Sequence, residues 1–255
     1  MNGFARILLP LMLTLPSIAL AEESLDNTAA STPAVIESTQ AAQDVPLELN
    51  PASKFWQAAR PVHMEKDHEG KLVAAYKTEV RIRWTKKNLY LLYVCPYEDL
   101  HLKPSPDTLK ETNELWNWDV AEVFLGSDFG DIQRYKEFEV SPQGEWLDLD
   151  IDLHKPHHED GWTWNSGFQV KARIDSKKHV WYAAMRIPFT SIDQRPPVAG
   201  NTLRINLFRS QGSHQQAVTW QPPMSKTFHV PERFGLLRLV KSTIENDKHS
   251  LARVP

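Results

Sequence analysis

The chain has 255 residues, 29 Lys+Arg against 32 Asp+Glu, and 41% hydrophobic residues, enough for one sizeable β domain or two small ones. A net charge of -3, with no long basic run, denies it the positive field that a phosphate backbone requires, so no nucleic-acid partner is expected. Glycine is sparse at 10 residues while Pro reaches 18 and Trp reaches 9, which argues against a Gly-rich phosphate cradle and for strands joined by turns.

In chain order, Arg6 in a short polar start, an apolar run from Ile7 to Leu15, and the small residues Ala19 and Ala21 around Leu20 predict a secretory signal over residues 1–21. The mature chain would begin at Glu22, in the periplasm or outside the cell. The apolar run is broken by Pro10 and Pro16 and is shorter than the roughly 20 residues that span a bilayer, so no membrane span is expected after cleavage. Residues 22–50 are rich in Ala, Ser, Thr, Glu and Gln, with no aromatic residue and no Lys or Arg. Such a segment offers too little apolar surface to offset its ordering entropy and reads as a disordered linker. A flexible tail is expected over residues 241–255.

Between them, residues 51–240 form a nearly neutral module that holds every Trp. Its apolar period is two. Val80, Ile82 and Trp84 alternate with Glu79, Arg81 and Arg83, and Leu147, Leu149, Ile151 and Leu153 alternate with Asp148, Asp150 and Asp152. Phe168, Val170, Ala172 and Ile174 alternate with Gln169, Lys171 and Arg173. Further strands are predicted at Leu89–Val94, Val120–Leu125, Tyr135–Val140, Trp181–Ile187, Leu203–Phe208, Ala217–Trp220 and Leu236–Val240, with at most one or two short helical turns, placed near Ala52–Ala59. About ten short strands in about 190 residues give an all-β fold, an antiparallel β-sandwich of immunoglobulin-like or jelly-roll-like kind, with long loops and mostly polar outer faces.

Candidate chemistry is spread over several clusters. Asp148, Asp150 and Asp152 share one strand face and could collect a hard cation, although alternation alone produces a solvated acidic face. His154, His157, His158, Glu159 and Asp160 are close in sequence but lack a metal-ligand spacing. Asp119, Glu122, Glu137 and Glu139 are carboxylates that a glycosidase would need in facing pairs. Cys95 lies in an apolar run and reads as a buried thiol with no partner for an intrachain disulfide. Trp84 and Trp181 are in phase with the core. Trp116, Trp118, Trp162 and Trp164 stand instead among Asn, Asp, Glu and Gly, where a ring with a polar handle can face a sugar or close over an end of the sandwich.

Four stretches in order resemble carbohydrate-binding module family 9, within the DOMON-like β-sandwich group. They are Thr78–Trp84 followed by Asn88-Leu89-Tyr90; Trp116-Asn117-Trp118-Asp119-Val120-Ala121-Glu122-Val123-Phe124-Leu125; Tyr135–Pro142; and Phe228–Leu236 with its Pro231-x-x-Phe234-Gly235. The resemblance implies a noncatalytic sandwich that grips the end of a mono-, oligo- or polysaccharide between two aromatic rings, in support of polysaccharide breakdown by glycoside hydrolases. Ring positions fall on Trp116 and Phe228, the latter smaller than the family's Trp. The acid that meets sugar hydroxyls falls on Glu122, with Asp119 between as support or contact. A basic position of the family falls near Glu139, an acid. Calcium accompanies the family, but no ligand set matches residue by residue.

Two other classes are open to such a sandwich. Relatives of the DOMON-like fold carry haem between Met and His, for which Met64, Met185, Met224, His63 and His229 are the available residues, although Met185 is in phase with the core. The carboxylates named above would serve a glycosidase.

Overall fold

The computed structural model describes residues 33–242. The expected signal segment, the first part of the expected linker and nearly all of the expected tail lie outside the described residues.

The fold is all-β, a sandwich made from one continuous ladder of strands. The strands are β1 (Val35–Gln40), β2 (Val62–Met64), β3 (Thr78–Trp84), β4 (Asn88–Pro96), β5 (Val120–Gly126), β6 (Arg134–Val140), β7 (Trp146–Asp152), β8 (Gln169–Asp175), β9 (Val180–Pro188), β10 (Thr202–Gln211), β11 (Gln216–Thr219) and β12 (Gly235–Val240). They run in the order β7-β6-β5-β10-β12-β1-β3-β4-β9-β8, with β11 on β10 and β2 on β3. The strip folds over itself. Val123, Leu125, Phe138, Ile205 and Leu207 from one half meet Val80, Ile82, Trp84, Leu91, Trp181 and Met185 from the other in a single core. The one α-helix, α1 (Lys54–Gln57), falls where the helical turn is predicted, capped by the Ser53 hydroxyl on the Trp56 N–H.

The structure corrects the linker boundary. Residues 33–50 are built into the sandwich, and β1 is the strand that joins its halves, parallel to β12 (Ile36 beside Leu237) and to β3 (Thr39 beside Arg83). Little of this strand's cohesion is apolar, since only Ile36 reaches the core. Backbone pairing on both sides holds it instead. The chain then crosses the outer face of β4 and β9, where Leu49 and Trp56 cover Tyr90, Leu92 and Tyr182. Asp44 accepts from Thr85, Asn88 and Tyr90, and the buried Arg83 guanidinium donates to the Phe55 carbonyl at 3.0 Å. Gly235 permits the entry of β12: a Cβ there would lie 2.4 Å from the Trp220 ring and 2.6 Å from the Ala34 carbonyl.

The outer faces also differ from the expectation of polar surfaces. The face of β4 and β9 is covered by residues 41–57, and the opposite face carries a second apolar cluster of Phe124, Tyr135, Leu147, Leu149, Ile151, Phe208 and Phe234. Strand β7 is therefore turned over relative to its prediction. Leu147 and Leu149 lie opposite Glu139 and Glu137 on the outer side, while Asp148 lies opposite the core residue Phe138. As the last strand of its half, β7 reaches past the rim of the inner core, where the fully buried Asp148 accepts from the Ser166 N–H at 2.8 Å. Only Asp150 of the three aspartates is exposed, so they do not form the solvated acidic face expected of them.

Candidate functional site

The outer face of β10-β5-β6-β7 is the floor of a cavity of about 600 Å³. Strand alternation aims Glu122 and Phe124 of β5, Glu137 of β6, Leu149 of β7 and Ser210 of β10 to this side. Three loops wall it. The short turn Leu115–Asn117 before β5 brings Trp116, the segment after β7 brings His158, and the segment between β11 and β12 brings Phe228 and His229. Trp116, Glu122 and Phe228 thus meet in one cavity although Phe228 stands far along the chain. Both rings are half-buried. Phe228 is held flat on Phe208, with centroids 4.4 Å apart and planes 8° apart, so one of its faces is already covered.

Asp119 is not among the residues lining this cavity. It is 1% exposed, and its carboxylate accepts the Gly212 N–H at 2.6 Å, tying the β10–β11 turn to the start of β5. Gly212 needs φ +70° and has no room for a Cβ, which would stand 2.6 Å from Asp99. Asp119 therefore positions the turn before which Ser210 lies. Trp118 packs on His101, Trp162 joins the outer apolar cluster, and Trp164 lies against Phe138 beneath the Lys136 ammonium. These three rings close over the sandwich, and Trp84 and Trp181 are core, as their phase predicts.

Three carboxyls gather at the floor. Glu122, Glu137 and Glu139 each place an oxygen within 4.8 Å of the others, all three are at most 3% exposed, and Glu139 stands directly opposite Glu122 across β5–β6. Glu122 Oε1, Glu137 Oε2 and both oxygens of Glu139 have no hydrogen-bond partner within the protein. Burial pushes Glu137 up to about 7. It drives Glu122 and Glu139 well above the carboxylate range, with repulsion from neighbouring glutamates adding to it. Beside them His229 is held at about 3 by burial, hence neutral; its Nδ1 meets the Tyr135 hydroxyl at 2.6 Å and its Nε2 stands 4.0 Å from Glu137. His158 packs edge-on against it.

These shifts give the protein a pH signature. A carboxyl whose folded pKa is raised keeps its proton after the unfolded chain has released it, so its stabilisation is complete below about 4.5 and is lost as pH rises through the folded value. Glu137 near 7 and Glu111 near 8, raised by burial and by its neighbour Asp148, extend that loss past neutrality. His229 acts oppositely and costs stability only as pH falls below the ordinary 6.5. Above that value the acids act alone. The melting temperature in metal-free buffer should fall by about 5 °C or more between pH 6.5 and 9. Glu139→Gln should flatten the fall; a level or rising profile in the parent would contradict the assignment.

The other proposed clusters are not assembled. His154 pairs with Asp131 and His157 with Glu159 at the surface, and among the described residues the one group placed to hold a metal is the glutamate trio. Met64 and Met185 are fully buried in the core and cannot face haem, while His63 and Met224 are exposed. Cys95 is buried and its thiol is pushed up to about 12.

A family model described as carbohydrate family 9 binding domain-like matches residues 51–242. The chain belongs to this family. Within the carbohydrate family 9 binding domain-like proteins its sequence relatives are distant. An extracellular protein of Arthroderma benhamiae is 24% identical over 173 residues, 62% of this chain and 76% of that protein. Endo-1,4-beta-xylanase A of Thermotoga neapolitana is 20% identical over 188 residues; 73% of this chain matches only 16% of the xylanase. Among solved structures, a family 9 module from Caldicellulosiruptor kristjanssonii in complex with cellotriose shares the fold with a TM-score of 0.57 and 13% identity, over 87% of this chain and 98% of that one. A Bacteroides uniformis protein does so with a TM-score of 0.64 and 16% identity, over 82% of this chain and all of that one.

Sequence reasoning assigned Glu137, Glu139, His158 and His229 to other roles. The alternation Tyr135, Glu137, Glu139 against Phe138, Val140 already placed both acids on the outer side of β6. What it concealed is that this side is roofed by loops.

Proposed function

We propose that this protein is a secreted or periplasmic, noncatalytic carbohydrate-binding protein that holds a mono- or oligosaccharide, or the end of a polysaccharide, in the cavity above β5 and β6. The observation that carries the reading is the convergence of Trp116, Glu122 and Phe228 on one cavity of about 600 Å³, a volume suited to one or two sugar rings. Apolar sugar faces would lie on the two rings, and hydroxyls would meet Glu122, Ser210 and Gln215. Family membership and the sugar complex of the family 9 module from Caldicellulosiruptor kristjanssonii support it. A role beside polysaccharide-degrading enzymes is part of this proposal, supported by the xylanase relative, whose match to this chain takes up 16% of its length.

Binding is favoured over hydrolysis by the acids themselves. A retaining glycosidase keeps its two carboxyls about 5–5.5 Å apart, with one of them ionised. Here a third buried carboxyl joins the pair, and burial drives all of them toward the neutral form.

A glycan-array screen of the mature protein, followed by calorimetry on the glycan retained, tests the reading. Phe228→Trp should hold or raise affinity, because the position faces the cavity and a larger ring extends the platform already supported by Phe208. No glycan retained, or a tenfold loss in Phe228→Trp, would count against it.

A further inference from the structure

We infer that His229 and Glu137 form a donor and acceptor clamp for one free hydroxyl of an uncharged sugar, and that Tyr135 is the positioning residue that turns the donor toward the cavity. The inference rests on the sugar-binding reading and names the group of the sugar that this part of the cavity selects.

Hydrogen-bond accounting fixes the imidazole. Tyr135 belongs to the aromatic cluster beneath the cavity and is 3% exposed; among the described residues the one partner of its hydroxyl is His229 Nδ1, at 2.6 Å. A buried O–H needs an acceptor, and Nδ1 is the atom that can serve. A neutral imidazole carries one ring hydrogen, so with Nδ1 accepting, that hydrogen stands on Nε2. Burial keeps the ring neutral. Its orientation is held as well. The ring stacks on Phe124 with centroids 5.2 Å apart and meets His158 edge-on at 4.4 Å.

Nε2 stands 4.0 Å from Glu137 Oε2, which has no hydrogen-bond partner within the protein. The gap is too wide for a direct hydrogen bond and suits one inserted oxygen. An oxygen about 2.8 Å from both atoms would see them about 90° apart, near the spread between a hydroxyl's hydrogen and its lone pairs. A hydroxyl can accept from Nε2–H and donate to Oε2, which remains an acceptor whether or not the other oxygen of Glu137 carries a proton. An ether or carbonyl oxygen only accepts, and would leave Oε2 unpaired. A uronate carboxylate would set a charged acceptor against a second acceptor. Both clamp residues line the cavity walled by Trp116 and Phe228, and Phe228 immediately precedes His229, so one segment carries a stacking platform and the donor.

Two measurements on the full chain test it. Without sugar, the NMR nitrogen shifts of the His229 ring should report the Nε2–H tautomer, and Tyr135→Phe should erase that preference while circular dichroism stays native-like. Calorimetry then uses glucose, galactose, mannose and xylose, with the monodeoxy and mono-O-methyl forms of the tightest binder. At one carbon, both the deoxy and the O-methyl form should bind about tenfold more weakly or worse. His229→Asn, which withdraws the donor, should weaken the unmodified sugar by a similar factor and the deoxy form no further, because the two changes remove one contact. His229→Gln, whose amide reaches the Nε2 position, should restore most of the affinity. An Nδ1–H tautomer, losses that add independently in His229→Asn, or full affinity in both His229→Asn and Tyr135→Phe would overturn the inference. If Trp116→Ala weakens sugar while those two variants do not, the sugar reading stands and the clamp falls. Binding of none of the four sugars at high millimolar concentration also overturns the clamp, and the sugar reading falls with it if the glycan array retains nothing.

Discussion

Trp84→Ala should destabilise the protein by about 3–5 kcal/mol, a large share of the roughly 5–15 kcal/mol that holds a typical domain folded. The ring is 1% exposed in the main core, and its Nε1–H donates to the Val240 carbonyl at 3.0 Å. Truncation would leave a cavity too enclosed to collapse and an orphaned acceptor at the end of β12. The position also lies at a junction. Trp84 pairs with Leu89 on β4 and with Gln40 on β1, and its carbonyl accepts the Ala41 N–H at 2.7 Å. The loss should therefore loosen β1, the strand that joins the halves. Urea unfolding monitored by circular dichroism measures it, with loss of soluble expression as the extreme outcome. A variant as stable as the parent would mean that the ring is not what closes this core.

The parts of the fold that were legible in the sequence are those whose burial is one-sided. In β3 the inward positions Val80, Ile82 and Trp84 are large and apolar while Glu79 and Arg81 beside them are only partly buried, so period two reports both the strand and its phase. Where burial is two-sided the code fails. Tyr90 and Leu92 point away from the main core yet are fully buried under residues 41–57, and the leucines of β7 face outward into the aromatic cluster beneath the cavity. Strand β1 was not legible at all, because its place is fixed by hydrogen bonds to β12 and β3, which lie far along the chain. Alternation carries no trace of such partners. Arg83 is the nearest to a signal: a charged residue in a strand, buried here because it donates to carbonyls of the segment it pins.

The same logic divides the candidate site. Trp116 and Glu122 stand six residues apart in a turn-then-strand frame, and that spacing survives folding. Phe228 joins them only because the β11–β12 segment folds back over Phe208, which the order of motifs implies and no local pattern contains. Asp119 has the spacing of a ligand contact but the environment of a support, raised to about 6 by burial and committed to Gly212. Glu139 shows the limit most clearly. In sequence it marks a lost basic position, whereas in space it completes a trio.

Trp116→Ala should remove about 2 kcal/mol or more of sugar affinity, a loss of about thirtyfold, while leaving the fold in place. The ring stands on a short turn outside the strands and is half-buried against the outer cluster, so its truncation opens the wall of the cavity and disturbs no ladder. Its stability cost should stay well below that of Trp84→Ala, where the same side chain is sealed in the main core. A flat aromatic wall gives up dispersion over a whole sugar face, and a solvated methyl cannot replace it. Calorimetry on the glycan retained by the array reads the affinity, and near-native circular dichroism and melting temperature certify the fold. Unchanged affinity in a folded Trp116→Ala would reject the cavity as the sugar site even if sugar bound elsewhere on the protein. Unfolding to the same degree as Trp84→Ala would show that Trp116 is a structural ring, and would leave Phe228, already covered on one face by Phe208, without the opposing platform that a sugar needs.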